Sequence, residues 1–585
     1  MADRDNIRNT GVRYEPGDRP PPLLSLGLGF QLALLCVAGI VLTPAIVIRA
    51  AGGPESFVSW AVFASVAISG VSTLSQAVRF GRIGAGYVLL MGTSGAFIAV
   101  CITAIAEGGP AMLATLVLVS SLFQFGLASR LSLFRRVLTP VVAGTVIMLI
   151  PVTVMPLLFD MLVDVPPGAP ASAPGIAAAV TLVVIAGVAL KARGTLRLWA
   201  PVVGVAAGSI VSMLLGIYDM EIVAAAGWIG LPDGAWPGID LSFGMTFWTL
   251  LPAFVFVTLV GAIETIGDAV AIQRVSHREA RAVDFRAVQG ALASDGLGNL
   301  LSGLAGTVPN TTYSTSVSVT ELTGVGARRV GVAVGVIFIV LAFLPKALAI
   351  LLAIPGPVAA AYITVLMAML FVVGMKIIVQ DGVDYRKGLI VGISFWIGAG
   401  FQNGQIFPEY FSTFAAGLLQ NGMTAGGLVA ILMTLFTELT SPPRRQLEVK
   451  CSLSALPRIQ QFLGDFASRN GWGQVMRYRL DTAVEETLLA LFHEDVRDNG
   501  EDARRLQVVA YREEGGAVLE LIASSGEEEN LQDRVALLSD TTDAPPVEHE
   551  ISLRLLHHVA SSIRHQQYHD TDVVTVRVKA PDTDA

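Results

Sequence analysis

Charged residues are scarce in this chain. Asp, Glu, Lys and Arg make up 15% of its 585 residues, whereas about 25% is usual for a water-soluble domain. The deficit is confined to residues 25–440, where apolar runs follow one another, each near the length of about 20 residues that crosses hydrocarbon. After residue 441 the charge density rises and such runs no longer occur. The pattern predicts a membrane domain over 25–441 and a soluble domain over 447–580.

Basic charge and cysteine are also scarce. The net charge of −8 argues against a nucleic-acid partner, because such binders carry basic faces. Cys36, Cys101 and Cys451 are far apart and predict neither a disulfide framework nor a metal site, and no cofactor is expected. Residues 1–24 are charged and proline-rich and lack the apolar core of a cleavable signal, which predicts a short cytoplasmic tail.

The apolar runs predict fourteen transmembrane spans. They cover residues 25–49, 57–78, 84–106, 110–129, 137–159, 174–191, 198–216, 246–272, 286–305, 307–324, 329–353, 357–378, 387–405 and 424–441. Basic residues follow the even-numbered spans, as do Arg79 after the second and Arg135 and Arg136 after the fourth, and are rare elsewhere apart from Lys346. Because basic loops stay in the cytoplasm, both termini of this multi-pass protein are expected on the cytoplasmic side of a bacterial inner membrane.

The spans also predict an internal symmetry. The long connection 217–245 separates two sets of seven spans, and an odd number per set gives the inverted repeat of many secondary transporters. The third segment of each set is small and polar, with Gly-Thr-Ser-Gly-Ala at 92–96 and Pro-Asn-Thr-Thr-Tyr-Ser-Thr-Ser at 309–316. Matching interruptions indicate broken helices around a site near the midplane. Small residues that only allow close helix packing are the alternative.

Two acidic residues lie inside the eighth predicted span. Glu264 and Asp268 are one helical turn apart on one face, and each would cost several kcal/mol if ionised in hydrocarbon. At least one is therefore expected to carry a proton in some state, as a proton symporter requires; an interfacial helix end is the alternative. Asp295, early in the ninth span, is predicted to pair with a backbone end, an arginine or Asp268, or to be a charge at a helix N-terminus.

These segments together resemble the nucleobase–ascorbate transporters, a family that includes bacterial uracil and xanthine permeases. The resemblance covers about 25–440 and rests on Glu-Thr-Ile-Gly-Asp at 264–268, Ala-Ser-Asp-Gly-Leu at 293–297 and Pro-Asn-Thr-Thr-Tyr at 309–313. It implies an all-α membrane fold with short strands in segments three and ten, a core domain (spans 1–4 and 8–11) and a gate domain (spans 5–7 and 12–14). It also implies homodimerisation through the gate, elevator-like movement of the core, and proton-coupled uptake of a nucleobase-like solute.

The chain departs from the family pattern at several positions. Gln31 matches a family glutamine, but Leu32 stands where a histidine commonly follows. In span three, Gly95 stands where an aromatic residue is frequent. Thr315 and Ser316 replace the Glu or Gln and the Asn of span ten, so hydroxyl groups are expected where the family has a bidentate partner for the base. These changes put transport of uracil or xanthine themselves in doubt.

The resemblance implies three sets of site residues. The expected solute-binding residues are Glu264, Thr315, Ser316, Gly95 and Thr312. The expected proton-coupling residues are Asp268, Glu264 and Asp295. The expected supporting residues are Gln31, Ser94, Asn310 and Tyr313.

The soluble part predicts an α+β domain. Strands are expected at 446–452, 505–512, 517–523 and 573–579, and helices at 455–470, 480–493 and 550–564. The pattern resembles the histidine-kinase-type ATPases, particularly the anti-sigma-factor serine kinases, through residues 483–489. Ala490 replaces the Mg²⁺-binding Asn, the adenine box reads Ser-Ser-Gly-Glu-Glu at 524–528, and 550–553 lack the glycine that a phosphate loop needs. The resemblance implies a degenerate regulatory or docking domain with a cytoplasmic protein partner; a residual kinase is the alternative.

Two other functions stay open on the sequence, neither of them enzymatic. An anion permease of the sulfate-transporter architecture also has fourteen spans and a cytoplasmic C-terminal domain, although two acids on one face disfavour a permanently anionic substrate. A membrane sensor derived from a transporter and signalling through the soluble domain is the other.

Overall fold

The structure is a computed structural model, and the chain folds into two compact units. It describes residues 11–134, 139–163, 169–232, 234–380, 382–402, 404–406, 419, 421–440, 444–450, 453–491, 505–513, 516–524, 530–537 and 548–580. The first unit comprises Met1–Ser129, Leu133–Glu279 and Ala287–Phe436, and the second Arg130–Ser132, Ala280–Arg286 and Thr437–Ala585. Arg135, Arg136, Cys451 and segment 525–529 lie outside the described residues, as do the side chains of Ala490 and of 550–552.

The first unit is almost entirely helical. Its helices are α1 (Pro22–Ala50), α2 (Glu55–Val78), α3 (Ile98–Ser129), α4 (Leu131–Phe134, at the boundary with the second unit), α5 (Pro140–Leu162), α6 (Ala173–Lys191), α7 (Thr195–Leu198), α8 (Ala200–Leu214), α9 (Met220–Ala225), α10 (Met245–Ser276), α11 (Phe285–Ala305), α12 (Thr315–Thr323), α13 (Arg328–Ala342), α14 (Pro345–Leu352), α15 (Gly356–Gln380), α16 (Tyr385–Gln402) and α17 (Gly422–Thr440).

Eight helices in the described ranges are long and apolar enough to cross a membrane: α1, α2, α3, α5, α6, α10, α15 and α17. The pair α13 and α14, bent by 87°, makes a ninth if it counts as one span. The helix α3 covers two of the predicted spans, and its break falls at Gly109, whose φ of 78° is left-handed, just before Pro110. Glycine tolerates that conformation and proline cannot continue the preceding turn, so the break follows from the local sequence.

The short strands predicted for segments three and ten are present. Strand β1 (Leu90–Thr93) pairs antiparallel with β2 (Asn310–Tyr313), with Gly92 opposite Thr311. The Tyr313 ring lies against Gly92, since an added Cβ would stand 2.5 Å from its Cζ atom, and only glycine leaves room there. Backbone groups in hydrocarbon must find partners within the protein. The two interrupted segments supply part of these hydrogen-bond partners to each other by pairing as β1 and β2.

The N-terminal segment is partly ordered against the first unit. The backbone N–H groups of Arg13 and Tyr14 donate to the Gly324 carbonyl at 2.7 and 3.1 Å. The Arg278 guanidinium, just after α10, donates to Asp18 at 3.0 Å and to the Arg13 carbonyl at 2.8 Å. Residues 13–18 of the predicted tail therefore tie the end of α10 to the turn after α12.

The second unit contains a five-stranded antiparallel sheet. Its strands are β3 (Arg445–Lys450), β4 (Arg505–Glu513), β5 (Gly516–Ser524), β6 (Ser562–Gln567) and β7 (Thr571–Lys579), in the spatial order β3-β4-β5-β7-β6. Its helices are α18 (Leu456–Arg469), α19 (Gln474–Leu491), α20 (Leu531–Leu537) and α21 (Glu548–Val559). Buried residues of α18, α19 and α21, among them Leu463, Leu480 and Leu556, form one core with the inner face of the sheet.

The predicted helix over 550–564 is wrong at its C-terminal end. The helix α21 stops at Val559 and β6 begins at Ser562. The cause is long-range pairing: the Ser561 N–H donates to the Arg577 carbonyl at 2.7 Å, and Ile563 stands opposite Val576 in β7. Helix α20 was not expected from the sequence, and α19 begins six residues before its predicted start, at Gln474.

Helices α5 and α15 cross closely at a pair of glycines. A Cβ added to Gly374 of α15 would lie 2.7 Å from the Gly144 carbonyl of α5 and 2.7 Å from Met148 Cγ.

We expect Gly374→Val to lower the stability of the detergent-solubilised protein by about 1–3 kcal/mol, since the backbone cannot yield without moving a helix. An SDS titration of helix content measures this.

The matched control is Gly392→Val in α16, where no described atom lies within 4 Å of an added Cβ. It carries the same change in helix propensity without the steric conflict. Equal midpoints of the SDS titration for Gly374→Val and Gly392→Val would contradict the close crossing of α5 and α15.

Candidate functional site

Asp268 is held by the interrupted tenth segment. It lies on α10 and is 6% exposed. The Thr312 hydroxyl of β2 donates to Oδ2 at 2.8 Å, and the Ser314 hydroxyl, at the start of α12, donates to Oδ1 at 2.6 Å. Both carboxylate oxygens thus have donors, and the positive end of α12 lies beside them. The contact fixes α10 against the β2–α12 junction.

Glu264 is the acidic residue of α10 whose carboxyl group has no hydrogen-bond donor among the described residues. It lies one turn before Asp268 on α10, is partly exposed, and accepts no hydrogen bond from the described residues. Near it, a Cβ added at Gly261 would lie 3.8 Å from the Phe97 ring and 4.0 Å from the Thr311 hydroxyl. The carboxyl group of Glu264 is therefore free to bind a proton or a polar solute at the crossing of β1 and β2.

An apolar wall faces this crossing from α5 and α15. Ile263 packs with Ala143 and Ile147 of α5 and with Leu370 of α15. A Cβ added at Gly95 would lie 3.1 Å from the Met367 methyl of α15. The predicted solute-binding residue Gly95 thus marks where the β1 side of the site meets α15, and a larger residue there would narrow the space.

Asp295 has partners that the sequence did not predict. It is fully buried on α11, ten residues after the start of that helix, so it is not a charge at the helix N-terminus. The Gln124 amide donates to it at 2.6 Å and the Thr265 hydroxyl at 2.7 Å. Among the described residues neither an arginine nor Asp268 bonds to it directly. The link to Asp268 runs through hydroxyls, with Thr312 Oγ1 3.5 Å from Thr265 Oγ1.

Several other predicted site residues hold the interrupted segments in shape. The Tyr313 hydroxyl donates to the Thr93 carbonyl at 2.9 Å, and the Ser316 hydroxyl, fully buried, donates to the Tyr313 carbonyl at 2.8 Å. Thr315, the first residue of α12, shares a hydrogen bond with the Cys36 thiol of α1. These contacts place Ser316 and Thr315 in the support of the site; their role in solute binding stays a prediction.

Three buried polar side chains at the crossing have no hydrogen-bond partner within the described part of the chain: Ser94, Asn310 and Thr311. Buried polar groups without partners are uncommon and costly, so these side chains offer unused donors and acceptors at the crossing. Gln31, in α1, is partly buried and makes no hydrogen bond with the other site residues described.

Several site residues were missed from the sequence. They are Gln124, Thr265, Asn299, Thr311 and Ser314. Ser314 and Thr311 stood inside the polar run 309–316, and Asn299 follows Asp295 by one helical turn, so their positions carried a signal. Gln124 stood alone in an apolar run, and nothing local pointed to its partner.

A cavity of about 100 Å³ lies next to the crossing, between α3, α10 and the facing ends of α16 and α17. Its lining includes Thr103, Glu107, Phe254, Gln402 and Asn421. The ring of Phe254 stands 6.2 Å from that of Phe97, centroid to centroid, and Phe97 in turn faces Gly261. The two rings thus separate this polar-rimmed cavity from the space around Glu264.

Comparison with known proteins identifies the family. Residues 24–406 match the model of the xanthine/uracil permeases, described as "Permease family". Xanthine permease XanP of Escherichia coli is 28% identical over 459 residues, which are 75% of this chain and 96% of that protein. A putative purine permease of Clostridium perfringens is 28% identical over 443 residues, 74% of this chain and 94% of the relative.

Among solved structures, the anion transporter family member SLC26A9 covers 81% of this chain and 78% of its own, with 12% identity and a TM-score of 0.49. That overlap is too low to bear on fold or function. The match to the permease model spans more than half of the sequence, and the long apolar helices agree with it. The chain therefore belongs to the xanthine/uracil permease family and is a multi-pass membrane transporter, not an enzyme.

Proposed function

We propose that this protein takes up a purine or pyrimidine base together with protons. The observation that carries the proposal is the unequal state of the two acids on α10: Asp268 has hydroxyl donors on both oxygens, while Glu264 has none among the described residues. A free carboxyl group can accept N–H groups of a base and can also take a proton. Relatives named as xanthine, purine and nucleobase transporters support this substrate class.

The surroundings of Glu264 suit a flat, polar solute. Ser94, Asn310 and Thr311 supply buried polar groups without protein partners, and Phe97 supplies an aromatic face near Gly261. Aromatic rings can stack on any base, because every base has a π-face. The hydroxyl-rich span ten favours a base recognised by single hydrogen bonds over one held by a bidentate amide.

The movement we propose is an elevator-like displacement of a core domain (spans 1–4 and 8–11) against a gate domain (spans 5–7 and 12–14). The contact of Ile263 with Ala143, Ile147 and Leu370 is apolar, and a surface without hydrogen bonds slides at low cost. This scheme includes the fourteen spans in a seven-plus-seven inverted repeat, a homodimer formed through the gate, and both termini in the cytoplasm.

Uptake of a panel of labelled purine and pyrimidine bases into proteoliposomes tests the proposal. With an inside-alkaline gradient, one coupled proton permits about tenfold accumulation per pH unit, because 1.4 kcal/mol corresponds to a factor of ten. We expect the unmodified protein to accumulate the base and Glu264→Gln to lose accumulation, since the amide cannot take the proton. The matched control, Glu321→Gln on the exposed side of α12, keeps it.

Unchanged accumulation in Glu264→Gln would contradict the role of that acid. A competition series distinguishes the substrate class: purines and pyrimidines are expected to compete with the label, and sulfate and bicarbonate are not. Competition by the anions alone would identify an anion permease, and the absence of any gradient-driven flux would favour a sensor.

For residues 447–580 we propose a regulatory or docking domain that has lost nucleotide binding and contacts a cytoplasmic protein. The loss of the Mg²⁺-binding Asn at Ala490 and of glycine in 550–553 supports this. The domain has a hydrophobic core of its own, centred on residues such as Ile459, Met476 and Val574, as an added module would.

A chain truncated after Gln446 tests this division. Because the site residues all lie in the first unit, the truncated chain is expected to keep the same order of competition among bases, while its expression or maximal rate changes. Competition series measured side by side in proteoliposomes provide the comparison. A changed order would show that the second unit contributes to substrate selection.

A further inference from the structure

A buried cluster of two amides and one carboxylate joins α3, α11 and β2. Gln124 Nε2 donates to Asp295 Oδ2 at 2.6 Å, and Asn299 Nδ2 donates to Gln124 Oε1 at 2.7 Å. Asn299 Oδ1 accepts the backbone N–H of Asn310, the first residue of β2, at 2.7 Å. Gln124, Asp295 and Asn299 are 1%, 0% and 4% exposed. The cluster therefore connects the interrupted segment to two helices without access to water.

The hydrogen bonds fix the orientation of both amides. Gln124 uses its oxygen toward Asn299 and its nitrogen toward Asp295, and Asn299 uses its oxygen toward a backbone N–H. Turning either amide over would set donor against donor or acceptor against acceptor. Asp295 accordingly receives only donors, from Gln124, Thr265 and, at 3.4 Å, Asn299. Gln124 and Thr265 share Oδ2 of Asp295, so the Gln124 amide limits where the Thr265 hydroxyl can approach that oxygen.

The hydroxyls of Thr265 and Thr312 lie between Asp295 and Asp268. Thr265 Oγ1 donates to Asp295 at 2.7 Å, Thr312 Oγ1 lies 3.5 Å from Thr265 Oγ1, and Thr312 Oγ1 donates to Asp268 at 2.8 Å. A hydroxyl has one proton to donate, so Thr312 can donate either to Asp268 or to Thr265, and a proton on Asp268 would release Thr312 to donate to Thr265. The two hydroxyls thus form a contact path between Asp268 and Asp295.

Among the described residues, few titratable side chains lie around Asp295. On α10 they are Glu264 and Asp268, and on β2 the residue is Tyr313, whose hydroxyl donates to the Thr93 carbonyl. The side chains of α3 and α2 that face this part of α11, Gln124, Ser72 and Ser75, do not titrate. The proton behaviour of the cluster is therefore set by three carboxyl groups and the amides and hydroxyls between them.

We propose that Gln124 is a positioning residue for the proton step at Glu264, acting through Asp295 and the Thr265–Thr312 pair on Asp268, which lies one helical turn after Glu264 on α10. The inference rests on the proposed proton-coupled uptake. It assigns no contact between Gln124 and the solute, because the hydrogen bonds of the Gln124 side chain to other described residues all lie within the cluster. Altering Gln124 should consequently change how uptake depends on pH, and leave the apparent affinity for the base unchanged.

The experiment compares pH profiles of uptake by the full-length protein in proteoliposomes, with the labelled purine or pyrimidine base that the uptake panel shows to accumulate. Gln124→Met removes both hydrogen bonds at similar volume, and we expect it to displace the midpoint of the profile by about one pH unit, the shift that a lost bond to a charged group produces, with KM unchanged. Gln124→Glu keeps the shape of the side chain. Its uptake is expected to recover in acid, where a protonated Glu again donates from one oxygen and accepts at the other.

The matched control is Gln76→Met. Gln76 is also a fully buried glutamine, and it ties α2 to α11 by donating to the Ala291 carbonyl at 3.0 Å, without contact to a carboxylate. Its profile is expected to coincide with that of the unmodified protein. A displaced profile for Gln76→Met, a coincident profile for Gln124→Met, or a raised KM without displacement would overturn the proposal.

Loss of both Gln124 variants from the membrane would make the residue structural and would equally overturn the proposal. The outcome is separable from failure of the proposed function. If Glu264→Gln abolishes accumulation and the Gln124 profiles coincide with that of the unmodified protein, only the positioning role is wrong. If Glu264→Gln accumulates the base normally, the proton-coupled function itself is wrong.

Discussion

The structure depends on the pairing of two short strands, β1 and β2, within the apolar part of the chain. Extended backbone in hydrocarbon is unstable unless each N–H and carbonyl group has a partner in the protein. The Leu90–Thr93 and Asn310–Tyr313 segments supply part of those partners to each other, the Asn310 N–H donates to Asn299, and Ser94 N–H adds a further bond to the Pro309 carbonyl at 2.8 Å. Glycine at position 92 admits the Tyr313 ring at the center of this crossing. Helices α3 and α12 follow directly after the strands.

The crossing gives the acidic residues of α10 and α11 different surroundings. Asp268 is bound by Thr312 and Ser314 from β2 and the start of α12, and Asp295 is enclosed by Gln124 and Thr265. Glu264 keeps an open carboxyl group near the apolar wall of α5 and α15. Three acids within a short distance would repel one another if all were ionised, and their different hydrogen bonding is the basis on which we propose different roles for them. The account of solute and proton binding follows from that division.

The sequence predicted the features that local composition encodes. Small and polar residues interrupting an apolar run predicted the two breaks, the family resemblance implied short strands there, and the i, i+4 spacing placed Glu264 and Asp268 on one face. The partner of Asp295 was not predictable, because Gln124 is 171 residues away in the chain. The contact of the Ser316 hydroxyl with the Tyr313 carbonyl at the start of α12 was not predicted, and the expected role of Ser316 in solute binding stays a prediction. The predicted helix over 550–564 overlapped the first three residues of β6, because the stability of that strand comes from pairing with β7.

The central claim is that Glu264 takes up a proton when the base binds. Calorimetric titration of the purified protein with a purine, repeated in buffers of different ionisation enthalpy, measures the protons taken up on binding. The account predicts net proton uptake on binding by the unmodified protein and none by Glu264→Gln. Equal proton uptake by both proteins, or base binding without proton uptake by the unmodified protein, would contradict it.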